Sequence, residues 1–204
     1  MKKKKKKNKS KKTINPIILF KRWMKIAKFS PKISYFNAMI LATFGIDEYP
    51  YQRIVFLKKM DQKGIVFYTN FQSRKAKQIS NSEKISLHFP WQEINRQVLI
   101  LGTARMLKIQ ESKKYFYSRP KEHQISAISS HQSEIIFSRK KLLNSFIKLK
   151  RKFRNKNVPF PNFCGGYLVE IKSIEFWKKS KYRLHERIVY KKIKNNWILN
   201  RLSP

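Results

Sequence analysis

Apolar positions change their period several times along this chain, and the changes mark out its elements. Ile17, Phe20, Trp23, Met24 and Ala27 recur at three- and four-residue intervals behind Pro16, a residue suited to a first helical turn. A helix is therefore predicted to begin near Pro16. From Ala38 the pattern becomes that of strands, rich in β-branched and aromatic residues, over 38–44, 51–60 and 64–70. The turn residues of DQKG (61–64) separate the last two. A short helix follows from Arg74 to about Ile79, with Ser73 as its N-cap. KISLHFP (84–90) alternates, putting Ile85, Leu87 and Phe89 on one face. RQVLILGTARMLKI (96–109) is apolar on both faces, as a central or interface strand would be.

Residues 110–153 read as helical, with Leu142, Leu143, Phe146, Ile147, Lys150 and Phe153 forming one stripe. A proline loop (155–162) leads into strands near 166–177, 183–191 and 196–201. Hairpin-connected strands interrupted by helices predict a mainly β fold with helical additions, an α+β antiparallel barrel. No internal repeat or linker divides it. We expect residues 14–204 to form one domain behind a disordered lysine-rich tail, residues 1–13, since nine of the first twelve residues are lysines that repel one another.

Composition refines this picture. No apolar run approaches the ~20 residues of a membrane span, and no apolar stretch with a cleavage site follows the basic N-terminus. A single cysteine, Cys164, excludes an internal disulfide and reads as a small buried hydrophobe. A soluble protein of a reducing, cytoplasmic compartment is expected. The formal charge of +37 suggests nucleic-acid binding. However, 36 Lys, 24 Ile and 13 Asn against 6 Ala and 5 Gly also describe an A/T-rich codon bias. That second reading needs no specific nucleic-acid partner, although the charge would still draw phosphorylated small molecules.

Several chemistries lack support. The chain has neither a G-x-G-x-x-G nor a Walker loop, no G-x-S-x-G elbow, and no zinc spacing among its four histidines and one cysteine. What stands out is a set of basic clusters beside strand ends. RIVFLK (53–58) sets Arg53 and Lys58 in an apolar strand, an arrangement equally suited to a solvated edge. YTNFQSRK (68–75) leads Ser, Arg and Lys into a helix N-terminus, where free N–H groups and two cations suit a phosphate. On a strand, Arg183, His185 and Arg187 of RLHER would share one face and suit a planar anionic ligand. The structural alternative is neutralisation by Glu170, Glu175 or Glu186. Tyr115 and Arg119 would share a helix face. Together these imply one or two phosphorylated ligands without naming them.

The segments FKRW, YQRIVFLK, GIVFYTNFQSRKAKQI, LHFPW, RQV, KYFYSRP, HQS, FCGGY, IEFW, RLHER and the closing W-x-x-x-RLSP run in order over about residues 16–204. In that order they resemble the pyridoxine/pyridoxamine 5′-phosphate oxidase family. The resemblance implies an FMN-binding split β-barrel and a homodimer with flavins at the subunit interface. It also implies oxidation of pyridoxine or pyridoxamine 5′-phosphate to pyridoxal 5′-phosphate, with O2 reduced to hydrogen peroxide and no membrane partner. Carried over by position, FMN would be held by Arg53, Ile54, Val55, Phe56, Leu57 and Lys58, Tyr68 and Thr69, and Arg74 and Lys75. Gln97, Gln132, Ser133, Trp177 and Arg187 would complete that site, some from the partner subunit. Lys58, Tyr115 and Arg119 would take the substrate phosphate, and the catalytic pair Arg183 and His185 would lie against the pyridine ring.

The chain departs from the family pattern in places. His123 stands where a serine is usual beside the substrate phosphate, and is retained as a substrate contact. Ser126, Ile128 and Cys164 replace the family's Gly, Trp and Trp. The family's N-terminal arm closes an Arg and a Tyr over the substrate, whereas the first Arg here is Arg22 and the first Tyr is Tyr35. A looser active site is the expectation. The competing readings are a split-barrel flavin binder without oxidase activity and a basic nucleic-acid-binding protein.

Overall fold

A computed structural model describes residues 14–204; the lysine-rich tail lies outside the described residues. Helix α1 (Pro16–Phe29) opens where the apolar period predicts, with Pro16 at its start and the Asn15 side chain accepting from Ile17 N–H at 2.9 Å. Its inner face buries Ile17, Phe20 and Ala27. Phe20 meets the rings of Phe89 and Trp91, and Trp23 meets Phe176, so α1 packs directly onto the sheet. A fully buried Phe such as Phe20 contributes about 2–3 kcal/mol by leaving water.

Nine antiparallel strands make one sheet: β1 (Ala38–Phe44), β2 (Pro50–Phe56), β3 (Lys59–Asp61), β4 (Gly64–Asn70), β5 (Lys84–Phe89), β6 (Arg96–Met106), β7 (Cys164–Lys178), β8 (Glu186–Ile193) and β9 (Asn196–Leu202). Their order is β2-β1-β5-β6-β7-β4-β3, and β8 pairs with both β7 and β9. Strand β7 carries the architecture. Its first half, Cys164–Val169, pairs with β4, while its second half, Ser173–Lys178, pairs with β8. One long strand thus carries β4 and then β8 along one edge, with β6 along its other. Alternation sets the two faces: Met39, Leu41, Leu87, Phe89, Val98, Ile100, Ile174 and Phe176 turn inward to the core. Helix α2 (Arg74–Asn81) spans the β4–β5 connection.

Beside the sheet, α3 (Ile109–Ser118), α4 (Lys121–Ser129) and α5 (Arg139–Lys152) build a smaller apolar cluster from Phe116, Ile125, Phe153 and Val158. These helices correct the expected continuous helical run, because residues 130–138 are not helical. The expected α5 stripe is also corrected. Phe146, Leu149 and Phe153 pack on the cluster, whereas Leu143 and Ile147 stay about half exposed (50% and 47%).

The strand expected over 51–60 breaks at Leu57 and Lys58. Leu57 N–H donates to Asn37 O and Lys58 N–H to Val66 O, so the chain leaves one strand partner for another there. The strand expected over 96–109 ends at Met106 because Ile109 starts α3. The strand expected from residue 183 begins only at Glu186. Arg183 and His185 therefore both precede the strand, and the three residues do not share a strand face as expected. Arg183 departs further. It sits in a 3-10 turn with φ near +61°, next to Tyr182 at +55°.

Candidate functional site

Strand β4 and α2 meet in a tight turn that fixes the first part of the site. Asn70 accepts from Gln72 N–H through its side chain, and from Ser73 N–H and Oγ through its carbonyl. Ser73 occupies the predicted N-cap position, but its hydroxyl is turned back to Asn70 and gives no cap bond to the helix. The first N–H groups of α2 consequently keep their capacity to bind an anion. Lys75 extends from the first turn to Ser73 Oγ (3.2 Å) and Gln132 Oε1 (3.0 Å). Burial, then the nearby Arg53 charge, pushes the Lys75 ammonium down to about 8.

Arg53 is anchored underneath. It donates to Leu41 O, to Thr43 Oγ1 and to Gln78 Oε1, while the Thr43 hydroxyl also donates to Gln78 Oε1. Thr43 and Gln78 are buried, so this network fixes one guanidinium against α2, close enough for its charge to act on Lys75. Desolvation and the Arg74 charge lower the Arg53 pKa. Arg74 points elsewhere: its guanidinium stacks 5.1 Å from the Tyr51 ring and does not line the cleft.

A cavity of about 600 Å³ opens over this floor. Of the residues proposed from the sequence, Ile54, Val55, Phe56, Lys58, Tyr68, Thr69, Lys75, Tyr115, Arg119, His123 and Gln132 line it. Tyr68 and Tyr115 stack at 3.6 Å with their planes 10° apart, and Lys58 Nζ stands 5.7 Å from the Tyr115 ring centre. Burial first, then Glu111 and Tyr115, raises the Tyr68 phenol pKa. Gly165 and Gly166, opposite Thr69 and Tyr68 in β4, make the close approach possible: a Cβ on Gly165 would overlap the Phe71 ring, and one on Gly166 would come within 2.8 Å of Tyr68. Among the described residues, no carboxylate lines this cavity.

Sequence reasoning missed Asn70, Ser112, Ser126, Ser130, Cys164 and Gly165 as cavity residues. Ser112 is buried and its hydroxyl has no partner; nothing in the α3 pattern distinguished it from an outward-facing polar residue. Cys164 is half-buried at the cavity wall, not fully buried as expected, and that burial still raises its thiol to about 11, with Arg119 opposing the shift.

A second cleft, of about 320 Å³, lies on the outer face of the sheet and shares no residue with the first. It gathers Gln97, Trp177 and Arg187, along with Gln52, His88 and Glu175, which sequence reasoning did not select. Strict alternation in KISLHFP did carry a signal for His88, placing it opposite the core-facing Leu87 and Phe89. Glu175 accepts from Arg187 Nε at 2.8 Å, realising one of the neutralisations weighed from sequence. His185 packs 4.7 Å from the Trp177 ring, and its Nδ1 accepts from Ser180 N–H. In the neutral ring this leaves the proton on Nε2. Leu57, Arg53, Arg74, Ser133, Arg183 and His185 line neither cleft. Within the single chain, then, the proposed site residues fall partly in the first cavity, partly in the second cleft and partly in neither.

Comparison with known proteins resolves the family. A family model described as pyridoxamine 5′-phosphate oxidase matches residues 26–146, and one described as a pyridoxine 5′-phosphate oxidase C-terminal dimerisation region matches residues 165–204. The chain belongs to the pyridoxamine 5′-phosphate oxidase family. It is 50% identical to the pyridoxine/pyridoxamine 5′-phosphate oxidase of Blochmanniella floridana over 94% of this chain and 89% of that protein. The corresponding figures for the Shewanella frigidimarina enzyme of the same name are 49%, 94% and 90%. Among solved structures, PhzG from Burkholderia lata, in complex with tetrahydrophenazine-1-carboxylic acid, superposes with a TM-score of 0.88 at 29% identity, covering 95% of each chain. A related FMN-binding protein from Nostoc punctiforme shares the fold at a TM-score of 0.74 and 13% identity, over 94% of this chain and all of that one. The split-barrel fold expected from the sequence is thereby shown. No helix among the described residues is long and apolar enough to cross a membrane.

Proposed function

We propose that this protein oxidises pyridoxine 5′-phosphate and pyridoxamine 5′-phosphate to pyridoxal 5′-phosphate, using FMN and O2, as a cytoplasmic homodimer built from one domain spanning residues 14–204. The carrying observation is the first cavity, where Lys58, Lys75 and Arg119 converge from three chain segments with no carboxylate among the lining residues. Such a cavity suits two phosphorylated ligands and is costly to leave empty.

The residues present fit FMN. Lys75 is a largely desolvated ammonium whose depressed pKa calls for an anion, and it stands beside the unoccupied N–H groups of α2 and above Arg53. Lys75 and the α2 start, with Arg53 behind them, would hold the phosphate, and Ile54, Val55, Phe56, Lys58, Tyr68 and Thr69 would lie alongside the remainder. When bound, FMN supplies a two-electron acceptor that O2 can reoxidise.

The protein's own contribution is positioning. Lys58, Tyr115 and Arg119 would grip the substrate phosphate, with His123 at the cavity wall. The Arg183 guanidinium is a planar hydrogen-bond donor with no acceptor, so it would orient and polarise the substrate and would not serve as a base. His185 offers its Nε2 proton, because Nδ1 already accepts a backbone bond. Left-handed backbone at Tyr182 and Arg183 costs about 1–3 kcal/mol each, the kind of strain that persists where a side chain must be aimed.

Dimerisation accounts for the division between two clefts. Trp177 and Arg187 fall inside the matched dimerisation region, on the outer sheet face. The partner's second cleft, together with its Arg183 and His185, would complete the first cavity. The decisive experiment is aerobic formation of pyridoxal 5′-phosphate by FMN-reconstituted protein given pyridoxine 5′-phosphate. Product that requires both FMN and O2 is the expected result. Bound FMN without product would leave a flavin binder lacking oxidase activity, and absence of FMN binding would overturn the reading altogether.

A further inference from the structure

The second cleft holds a histidine to which the reading above gives no role. In the β5–β6 ladder His88 lies opposite Leu99, with Phe89 opposite Val98, which puts His88 diagonal to Gln97 on the same outer face. Its Nε2 stands 3.2 Å from Gln97 Oε1. On the other side His88 faces Ile40 of β1, an apolar neighbour. The charged groups that share the cleft, Glu175 on β7 and Arg187 on β8, are engaged with each other at 2.8 Å, and Arg187 also donates to Ser203 O.

A glutamine amide has an accepting end and a donating end, and the torsion that exchanges them is broad and nearly two-fold. Left alone, Gln97 would present either end to a ligand. Oε1 can accept from His88 only when Nε2 carries the ring proton, and forming that bond leaves the amide NH2 for whatever occupies the cleft. With the ring proton of His88 on Nε2, the pair turns an ambivalent side chain into a committed donor.

We propose that His88 is a positioning residue: by holding Gln97 Oε1, it directs the Gln97 NH2 at an acceptor atom of the flavin ring. This inference rests on the reading that Gln97 borders FMN. A donor fixed at an acceptor that gains negative charge on reduction favours the reduced flavin, so the His88–Gln97 pair raises the flavin's midpoint potential as well as its affinity.

The test uses FMN-loaded protein with His88→Leu, His88→Gln, Gln97→Leu and the double variant His88→Leu/Gln97→Leu. Three quantities are measured: FMN dissociation constant, visible flavin spectrum and midpoint potential, with thermal unfolding of each variant as the check on folding. Loss of one hydrogen bond's worth of order weakens FMN about fivefold in His88→Leu. The same variant lowers the potential, and His88→Gln, which retains an N–H donor, restores most of both. In the Gln97→Leu background, His88→Leu adds nothing. A His88→Leu protein with wild-type affinity, spectrum and potential overturns the inference. So does a His88→Leu effect that persists undiminished without Gln97. Failure of the wild type to bind FMN would instead sink the functional reading, and a silent Gln97→Leu would remove Gln97 from the flavin.

Discussion

Raising the pH from 7 to 9 should weaken FMN binding about tenfold, and Lys75→Met should erase that dependence. The cause lies in the empty site, where burial and then Arg53 hold the Lys75 pKa at about 8. A phosphate dianion binds the ammonium form. At pH 7 most Lys75 is already charged, whereas at pH 9 only about a tenth is, so binding must supply the proton at about 1.4 kcal/mol. Affinity is therefore full below pH 8 and declines above it. Lys75→Met loses a charge-assisted contact of about 1.5–3 kcal/mol, so it should bind FMN about 10–100-fold more weakly and equally at both pH values. Stability of the FMN-free protein carries the opposite sign. The folded pKa lies below the ordinary 10.5, so the unfolded chain holds more protons between pH 8 and 10.5 and stability rises with pH across that window. An upper bound near 3 kcal/mol shrinks to about 1–2 kcal/mol because water still reaches the cleft mouth. Tyr68, Tyr167 and Tyr190, all raised by burial, favour the folded state at neutral pH and give that up above pH 10, which limits the rise. Flavin fluorescence quenching measures the affinities and urea titration the stabilities, each as a difference between wild type and Lys75→Met. Equal pH dependence in the two proteins would refute the assignment of Lys75 to the phosphate.

Other outcomes follow from single features. Arg183→Ala should retain FMN while turnover falls on the order of 100-fold, since its proposed part is positioning; parallel loss of flavin and activity in a steady-state assay would put it on the wrong ligand. Gly64→Ala should lower stability by about 3 kcal/mol, because φ is +146° and a Cβ would strike the Val169 carbonyl; the readout is a drop in Tm of about 6–12 °C. Cys164, with its thiol near 11, should react with an alkylating reagent at pH 8 about two orders of magnitude more slowly than free cysteine. Rapid labelling of the folded protein would contradict the burial described for it.

Local chemistry was legible where neighbours in sequence decide the outcome. The α1 stripe, the turn before Gly64, the basic entrance to α2 and the alternation of β5 all follow from spacing alone. What spacing could not reveal depends on partners distant in the chain. Strand 51–60 breaks at Lys58 because its backbone finds Val66, and β7, held by β6 along one edge, changes partner from β4 to β8 along the other. Arg183 was misplaced onto a strand because positive φ in two consecutive non-glycine residues leaves no mark in composition. Basic clusters announced anionic ligands, but their individual roles came from resemblance. His88 was visible as an outward-facing residue and gained meaning only through the Gln97 beside it.

The separation of the two clefts bears on inheritance as much as on mechanism. If each complete site draws its Lys58 side from one subunit and its Arg187 side from the other, damage to the two clefts segregates between sites. A chain crippled at Lys58 and another crippled at Arg187 would each be inactive alone. Paired in one dimer, they concentrate both lesions in one site and leave the other intact. Random mixing would then revive roughly a quarter of all sites, allowing two defective alleles to complement each other within the same cell.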